Sequence, residues 1–519
     1  MISRRTLLGV TPLLMGADST GSPQVEPPLF DVEERSLSDL RAALDGKRVT
    51  SVQLVEAYLA RIAKLDANGP MLKSVLELNP DAKRIAAECD AATDKKPRGP
   101  LHGIPVLLKD NIDTADQQHT TAGSLALLDA PAPKEDAGLV KQLRAAGAVV
   151  LGKTNLSEWA NLRGRASTSG WSARGGLTRN PYVTTRNASG SSSGSAVAVA
   201  ASLCAASIGT ETDGSIVSPA SICGIVGFKP TVGLVSRSGI IPLSHTQDTA
   251  GPMTRSVKDA ALLLDAICGV DARDDATSKR PKTLAPNFTR ALEGATLKGK
   301  RLGVVRRLVE AGWTTAPVAR EVVKSLTTAG ATVVDVELGA RSYEDAEMEV
   351  LLFELKNDFD AYLSARGGPM KSLADVVQFN LAHASDELSF FGQQHFDDAV
   401  RRGPYSSSEY VAALSKCSAA RESIVALMKD QKLDAIVAPT GAPAWLSDLV
   451  NGDAFGFSFS TPAAVAGCPH VSVPMGFVGE LPVSLSFIAA PWEDAKVLAL
   501  GHAFELATHA RKPPRYFTR

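Results

Sequence analysis

The sequence predicts an α/β fold, built as one large domain around a mixed, largely buried central sheet covered by helices on both faces. Two observations carry this. The first is a repeated helix–glycine–strand pattern. Leu139, Val140 and Leu143 share a helical face that stops at Gly147, and the apolar run Ala148 to Leu151 follows as a strand; Val318 to Gly330 and then Ala331 to Val336 repeat the arrangement. The second is the return of strand signals at Leu433 to Ala438, Val471 to Pro474 and Val483 to Ile488, which complete a sheet begun far upstream. Length alone would allow two or more domains, but a shared sheet favours one.

Taken in order, the chain opens on Ser3-Arg4-Arg5-Thr6-Leu7-Leu8, with adjacent arginines ahead of the weakly apolar run Leu7 to Met15. That layout predicts a twin-arginine export leader, followed by the Pro/Gly-rich linker Gly21 to Pro28. Residues 1–28 are therefore assigned to leader and linker, and residues 29–519 to the mature domain. The expected location is the periplasm, or the cytoplasm where the leader does not function. No later run is both apolar and uncharged for the ~20 residues of a membrane span. Ser36 to Leu44 and Ser51 to Ile62 have helical spacing, the second with Leu54, Val55, Tyr58, Leu59 and Ile62 on one face. Thr50 and Gln53 form a capping box at its start. From about residue 342 to 428 only helical periodicities occur, including Glu347 to Phe359 and Tyr410 to Met428, so this stretch reads as a helical insertion.

Composition narrows function. The 519 residues carry a formal net charge of −1 and are 44% hydrophobic, with six cysteines. Near-zero charge argues against an electrostatic role on nucleic acid or anionic membrane. The cysteines lack Cys-x-x-Cys spacing, which suggests neither a zinc site nor a dense disulfide framework.

The chemistry concentrates between Arg186 and Pro230, where Gly, Ser and Ala dominate. Ser195 to Ala206 is small and apolar, and Ser207 to Gly209 reads as a short buried strand. Thr210 to Ser215 reads as a polar turn, and Ser218-Pro219 as a helix cap followed by proline. A serine on a strand-to-helix turn can attack a carbonyl while turn N–H groups stabilise the oxyanion, and Ser215 is such a serine. Its hydroxyl needs a base. His102 and His245 sit in loop-like sequence without a supporting context. Lys109 ends the apolar run Ile104 to Leu108, so a buried strand would deliver its amine inward, although a lone lysine at a strand end ordinarily reaches out to solvent.

Gly190 to Pro230, together with Gly103-Ile-Pro-Val-Leu-Leu-Lys109-Asp-Asn, resembles the amidase signature family. The flanks Gly152-Lys153-Thr-Asn155 and Asp248-Thr-Ala-Gly251-Pro252 match as well, and the likeness spans roughly Leu37 to Pro514. It implies a Ser–Ser–Lys triad: Ser215 as nucleophile, Ser191 as bridging serine after a cis peptide, and Lys109 as base. Ser215 lies 24 residues after Ser191, as the family pattern requires. The resemblance further implies relay support from Ser192, an oxyanion site at the N–H groups of Thr212, Asp213, Gly214 and Ser215, and no metal or organic cofactor. Within the family the likeness extends to bacterial peptide amidases, carried by Ser157-Glu-Trp-Ala-Asn161, Ser169-Gly-Trp-Ser-Ala-Arg-Gly-Gly176 and Thr210-Glu-Thr-Asp-Gly-Ser215. It implies hydrolysis of a peptide's C-terminal amide with release of ammonia, and Trp159 and Trp171 are expected to line the acyl pocket. Two other readings stand beside it. One is a component of an assembly that amidates charged transfer RNA, working with partner subunits. The other is an α/β-hydrolase-like esterase using Ser192, from the Gly-x-Ser-x-Gly match at Gly190 to Gly194.

Overall fold

The computed structural model describes residues 29–92, 99–284, 287–338 and 343–518. The predicted leader at residues 1–28 lies outside these residues. Among the described residues the strands are β1 (Val75–Leu78), β2 (Pro105–Lys109), β3 (Val149–Thr154), β4 (Trp171–Ser172), β5 (Gly176–Leu177), β6 (Ala206–Glu211), β7 (Val226–Lys229), β8 (Thr249–Thr254), β9 (Arg301–Val304), β10 (Thr332–Asp335), β11 (Ala435–Pro439), β12 (His470–Val478) and β13 (Leu481–Ile488). Eleven of them form one sheet in the order β1-β3-β2-β6-β8-β7-β12-β13-β11-β9-β10, and β4 pairs with β5 separately.

The sheet is mixed. β3, β2 and β6 run parallel, as do β11, β9 and β10. The strands between β6 and β11 pair antiparallel. Parallel strands covered by crossover helices are buried along their whole length, which is why β2 reads as an unbroken apolar run before Lys109. The helix Gly138–Ala145 connects β2 to β3 and buries Leu139, Val140 and Leu143. The wholly buried helix Ser193–Ala200 connects β3 to β6. Its small side chains let its first turn approach the strand closely: a Cβ on Gly209 would stand 2.8 Å from Ser192 Oγ.

The capping box of Thr50 and Gln53 is present on the helix Ser51–Arg61. Between residues 343 and 430 the described residues form the helices Glu344–Arg366, Leu373–Ala382, Ala384–Glu387, Gln394–Val400 and Ser408–Asp430. Two local readings are corrected. β6 runs on through Thr210 and Glu211, because both pair with β8, so the polar turn begins at Thr212. The helix expected to start at Pro219 starts at Val217, since the carboxylate of Glu211 accepts from the N–H groups of Ile216 (2.7 Å) and Val217 (3.0 Å) and so caps it earlier. Ser218 Oγ instead meets Ser189 Oγ at 2.9 Å. All six cysteines are free.

One strand contact yields a stability prediction. A Cβ on Gly251 in β8 would lie 2.0 Å from the carbonyl oxygen of Phe228 in β7, backbone that has no room to yield. Gly251→Ala should cost about 2–3 kcal/mol, as overpacking does. Denaturant unfolding would show the shift, and an unchanged midpoint would contradict it.

Candidate active site

The carboxyl ends of neighbouring parallel strands β2 and β6 bring Lys109 and Thr210 together, the position where open α/β sheets place ligands. Lys109 is fully buried. Its Nζ lies 2.8 Å from Ser191 Oγ, 2.9 Å from Thr210 Oγ1 and 3.2 Å from Thr210 O. Burial lowers its pKa to about 7, against the opposing pull of the Asp248 and Glu211 carboxylates. The Gly190–Ser191 peptide is cis.

Ser192 acts one step further out. Its Oγ donates to Thr210 O (3.0 Å) and accepts from Thr210 N (3.2 Å), so it braces the residue that holds the lysine; among the described residues no hydrogen bond joins it to Lys109 itself. Asn111 Nδ2 adds a bond to Thr210 Oγ1 at 3.0 Å. Ser192 is buried and lies outside the cavity wall, which removes the geometric basis for using it as an esterase nucleophile.

A cavity of about 580 Å³ opens beside this cluster, and its wall includes Ser191, Thr212, Asp213, Gly214 and Ser215. Ser215 is 8% exposed and Ser191 fully buried. Among the described residues no hydrogen bond joins Ser215 Oγ to Ser191, so the structure forms the lysine–serine link and leaves the serine–serine link open. No described residue accepts a hydrogen bond from the amides of Thr212, Gly214 or Ser215. Gly214 has φ +79, and a Cβ there would meet Ser460 Oγ at 2.8 Å, so the turn demands glycine. Thr212 Oγ1 donates to Asp248 Oδ1 (2.6 Å), and Thr461 Oγ1 donates to Asp213 Oδ2 (2.7 Å). Burial raises the Asp248 pKa to about 6 despite N–H groups from Leu243 and Ser244.

Leu162, Leu243, Met348 and Leu351 add apolar surface to the wall. Glu347 stands among these residues, where burial and the nearby Asp213 carboxylate raise its pKa. Its Oε1 accepts from Gln247 Nε2 at 2.8 Å.

The two tryptophans expected in the pocket are not on its wall. Trp159 is 1% exposed and packs edge-on against Phe359 (5.3 Å) and beside Phe396 (5.9 Å). Trp171 packs against Phe390 and Phe391 at 5.5 and 5.2 Å. Both are buried against aromatic side chains. His102 bonds the Cys89 carbonyl and His245 bonds Asp358, and neither lines the cavity. The histidine that does, among the described residues, is His395, which no local pattern in the sequence singles out. Its pKa is held low by burial and by Arg165. One described cluster, His245, Glu354 and Asp358, places possible metal-ligand atoms within 4.8 Å of one another. Its carboxylates already accept from Tyr410, Tyr405 and Thr246 hydroxyls.

The lysine makes stability depend on pH. With a native pKa of about 7 the folded chain binds fewer protons than the unfolded chain up to the ordinary lysine value of about 10.4. The penalty is complete below the native value and fades as pH rises across that window. Wild type should therefore gain about 3 kcal/mol relative to Lys109→Met between roughly pH 7 and 9.5. Denaturant unfolding of both proteins across pH measures this, and curves that run parallel throughout would show an unperturbed amine.

The amidase family model matches residues 53–498. The crystal structure of peptide amidase from Stenotrophomonas maltophilia is 49% identical, with TM-score 0.89, covering 93% of this chain and 99% of that one. A probable amidase of Arabidopsis thaliana is 41% identical over 500 residues, 94% of this chain and 92% of the relative. A glutamyl-tRNA(Gln) amidotransferase subunit of Methylobacillus flagellatus is 34% identical over 502 residues, covering 92% of this chain and 98% of that one. A family match of this extent, with relatives aligned along nearly their whole length, makes the chain a member of the amidase family and a hydrolase of amides.

Proposed function

We propose that this amidase removes the C-terminal amide of peptide amides as ammonia, with Ser215 as nucleophile, Ser191 as proton bridge and Lys109 as base. The observation that carries the relay is the fully buried Lys109 amine, 2.8 Å from Ser191 Oγ, behind a cavity whose wall also holds Ser215. A neutral amine accepts the Ser191 proton while Ser191 accepts that of Ser215, and Ser215 Oγ attacks the carboxamide carbon. The Ser215–Ser191 hydrogen bond forms as substrate binds, as catalytic hydrogen bonds commonly tighten only in the complex. The tetrahedral oxyanion is received by N–H groups of the 212–215 turn. The relay returns its proton to the leaving nitrogen, ammonia departs, and water hydrolyses the acyl-Ser215 ester by the same route.

The peptide-amide substrate is supported by the likeness to the Stenotrophomonas maltophilia peptide amidase and by a cavity large enough for more than a simple amide. The adjacent arginines Arg4 and Arg5 read as an export leader, and export would bring the enzyme to peptides. The similarity to the amidotransferase of Methylobacillus flagellatus keeps a transfer-RNA-dependent reading as the alternative. Incubation with a peptide amide separates them: ammonia and free peptide from the lone chain, with internal bonds intact, support hydrolysis, and no release would refute it.

Ser215→Ala and Lys109→Ala should each lower kcat/KM by about 10⁴-fold or more, the scale of losing a nucleophile or its base. Unfolding midpoints would show that the proteins remain folded. A collapse in His395→Ala with Lys109→Ala still active would replace lysine by histidine as base.

The acid limb of the kcat/KM profile should fall near the Lys109 pKa of about 7. Activity rises with pH through that value because only the neutral amine accepts a proton. A limb confined to the ordinary carboxylate range would contradict this assignment.

A further inference from the structure

Three consecutive residues in the cavity wall segment, Trp159, Ala160 and Asn161, have φ of 51, 51 and 74. Left-handed backbone is disfavoured for tryptophan and alanine, and persists only where surrounding packing fixes it. Here anchors fix both ends. Trp159 is locked against Phe359 and Phe396, and its N–H donates to Ala122 O at 2.9 Å. On the far side the buried Arg163 guanidinium pairs with Glu158 and lies 4.2 Å over the Phe391 ring. The Arg163 carbonyl accepts from the N–H groups of His395 and Phe396 at 3.1 and 3.3 Å. Between these anchors Ala160, Asn161 and Leu162 face the cavity.

The same segment is tied directly to the relay. Ser157 N–H donates to the Ser191 carbonyl at 3.0 Å, so the position of Asn161 is referenced to the bridging serine. The Asn161 Oδ1 is nevertheless buried without a hydrogen-bond partner among the described residues. A partly buried side chain on the cavity wall whose buried amide oxygen has no partner calls for a ligand group to complete it.

We propose that Asn161 is a specificity-determining residue that hydrogen-bonds the peptide group next to the scissile carboxamide. An asparagine side chain both donates and accepts, and a half-turn about χ2 presents either atom to the cavity. A peptide bond offers the complementary N–H and C=O; a simple aliphatic amide has no second amide to offer. This rests on the peptide-amide reading and adds to it the feature that separates a peptide amide from other carboxamides.

Two substrates isolate that feature. N-acetylphenylalaninamide and 3-phenylpropanamide share the scissile carboxamide and the benzyl group, and only the first carries an acylamino group. Ammonia release from each gives kcat/KM for wild type, Asn161→Gly and Asn161→Asp. Glycine removes the side chain while keeping left-handed backbone accessible, and aspartate keeps the shape without the donor. Wild type should prefer the acetylated substrate by tenfold or more, and Asn161→Gly should lower that ratio about tenfold, the scale of one or two lost hydrogen bonds. Asn161→Asp should also lower it, and carries the test should the glycine variant unfold. If both rates fall together and the ratio stays at its wild-type value, Asn161 is a structural residue and this inference alone fails. Wild-type turnover of 3-phenylpropanamide without turnover of the acetylated amide would instead overturn the peptide-amide reading, and the inference with it.

Discussion

An amine fully removed from water at the end of a sheet strand is the constraint around which the site is organised. Burying an ammonium is costly, so the protonated form is disfavoured and the Lys109 pKa falls to about 7. Desolvation therefore leaves a substantial share of this amine neutral near pH 7. That requires Lys109 to keep acceptors and donors of its own, which Ser191 and Thr210 supply. Their placement demands in turn that the helix Ser193–Ala200 pack against β6 with small residues only. A bulkier residue than Gly209 in β6 would push Ser192 away, and with it the neighbouring Ser191. The Gly/Ser/Ala bias of this stretch is thus a packing requirement of the buried amine.

A second constraint holds the turn from Thr212 to Ser215. Glu211, next to the residue that grips the lysine, accepts from the two N–H groups immediately after Ser215. Its carboxyl group is fully buried, and burial raises its pKa against the opposing pull of the Lys229 ammonium and of the Ile216 and Val217 N–H groups. The consequence is geometric: the amides of Ile216 and Val217 are engaged by Glu211, whereas those of Thr212, Gly214 and Ser215 have no such acceptor among the described residues.

Much of this was legible in the sequence. Period and punctuation located the helix–glycine–strand units, and the motifs pointed to Lys109, Ser191 and Ser215; the structure hydrogen-bonds Lys109 to Ser191 and places Ser191 and Ser215 on one cavity wall. Thr210 and Glu211 lay in plain view between Gly209 and Ser215, but a polar stretch reads as a turn, and only pairing with β8 reveals it as strand. Trp159 and Trp171 show a different limit. A large aromatic serves a core or a pocket equally well, and the choice depends on whether Phe359, Phe396, Phe390 and Phe391 arrive from about two hundred residues away. His395 and the apolar residues Met348 and Leu351 come from that same distant helical region, so nothing local points to them.

This division has a physical basis. Lys109, Ser191, Thr210 and Ser215 sit on or beside the central strands β2 and β6, where neighbouring backbone fixes them to within a hydrogen bond. Much of the wall that a substrate meets is supplied by other elements: Glu347, Met348 and Leu351 on the helix Glu344–Arg366, and Asn451, Phe455 and Thr461 on the segment leading into the helix Thr461–Ala466. Side chains on those elements can change without disturbing the pairing that holds the lysine, so one reactive core can accommodate different acyl groups. The segment from Ser157 to Arg163 belongs to both parts. It is hydrogen-bonded to Ser191 at one end and packed against the helical region at the other. A substrate contact carried on that segment is held in register with the chemistry, which is what discrimination between nearly identical amides requires.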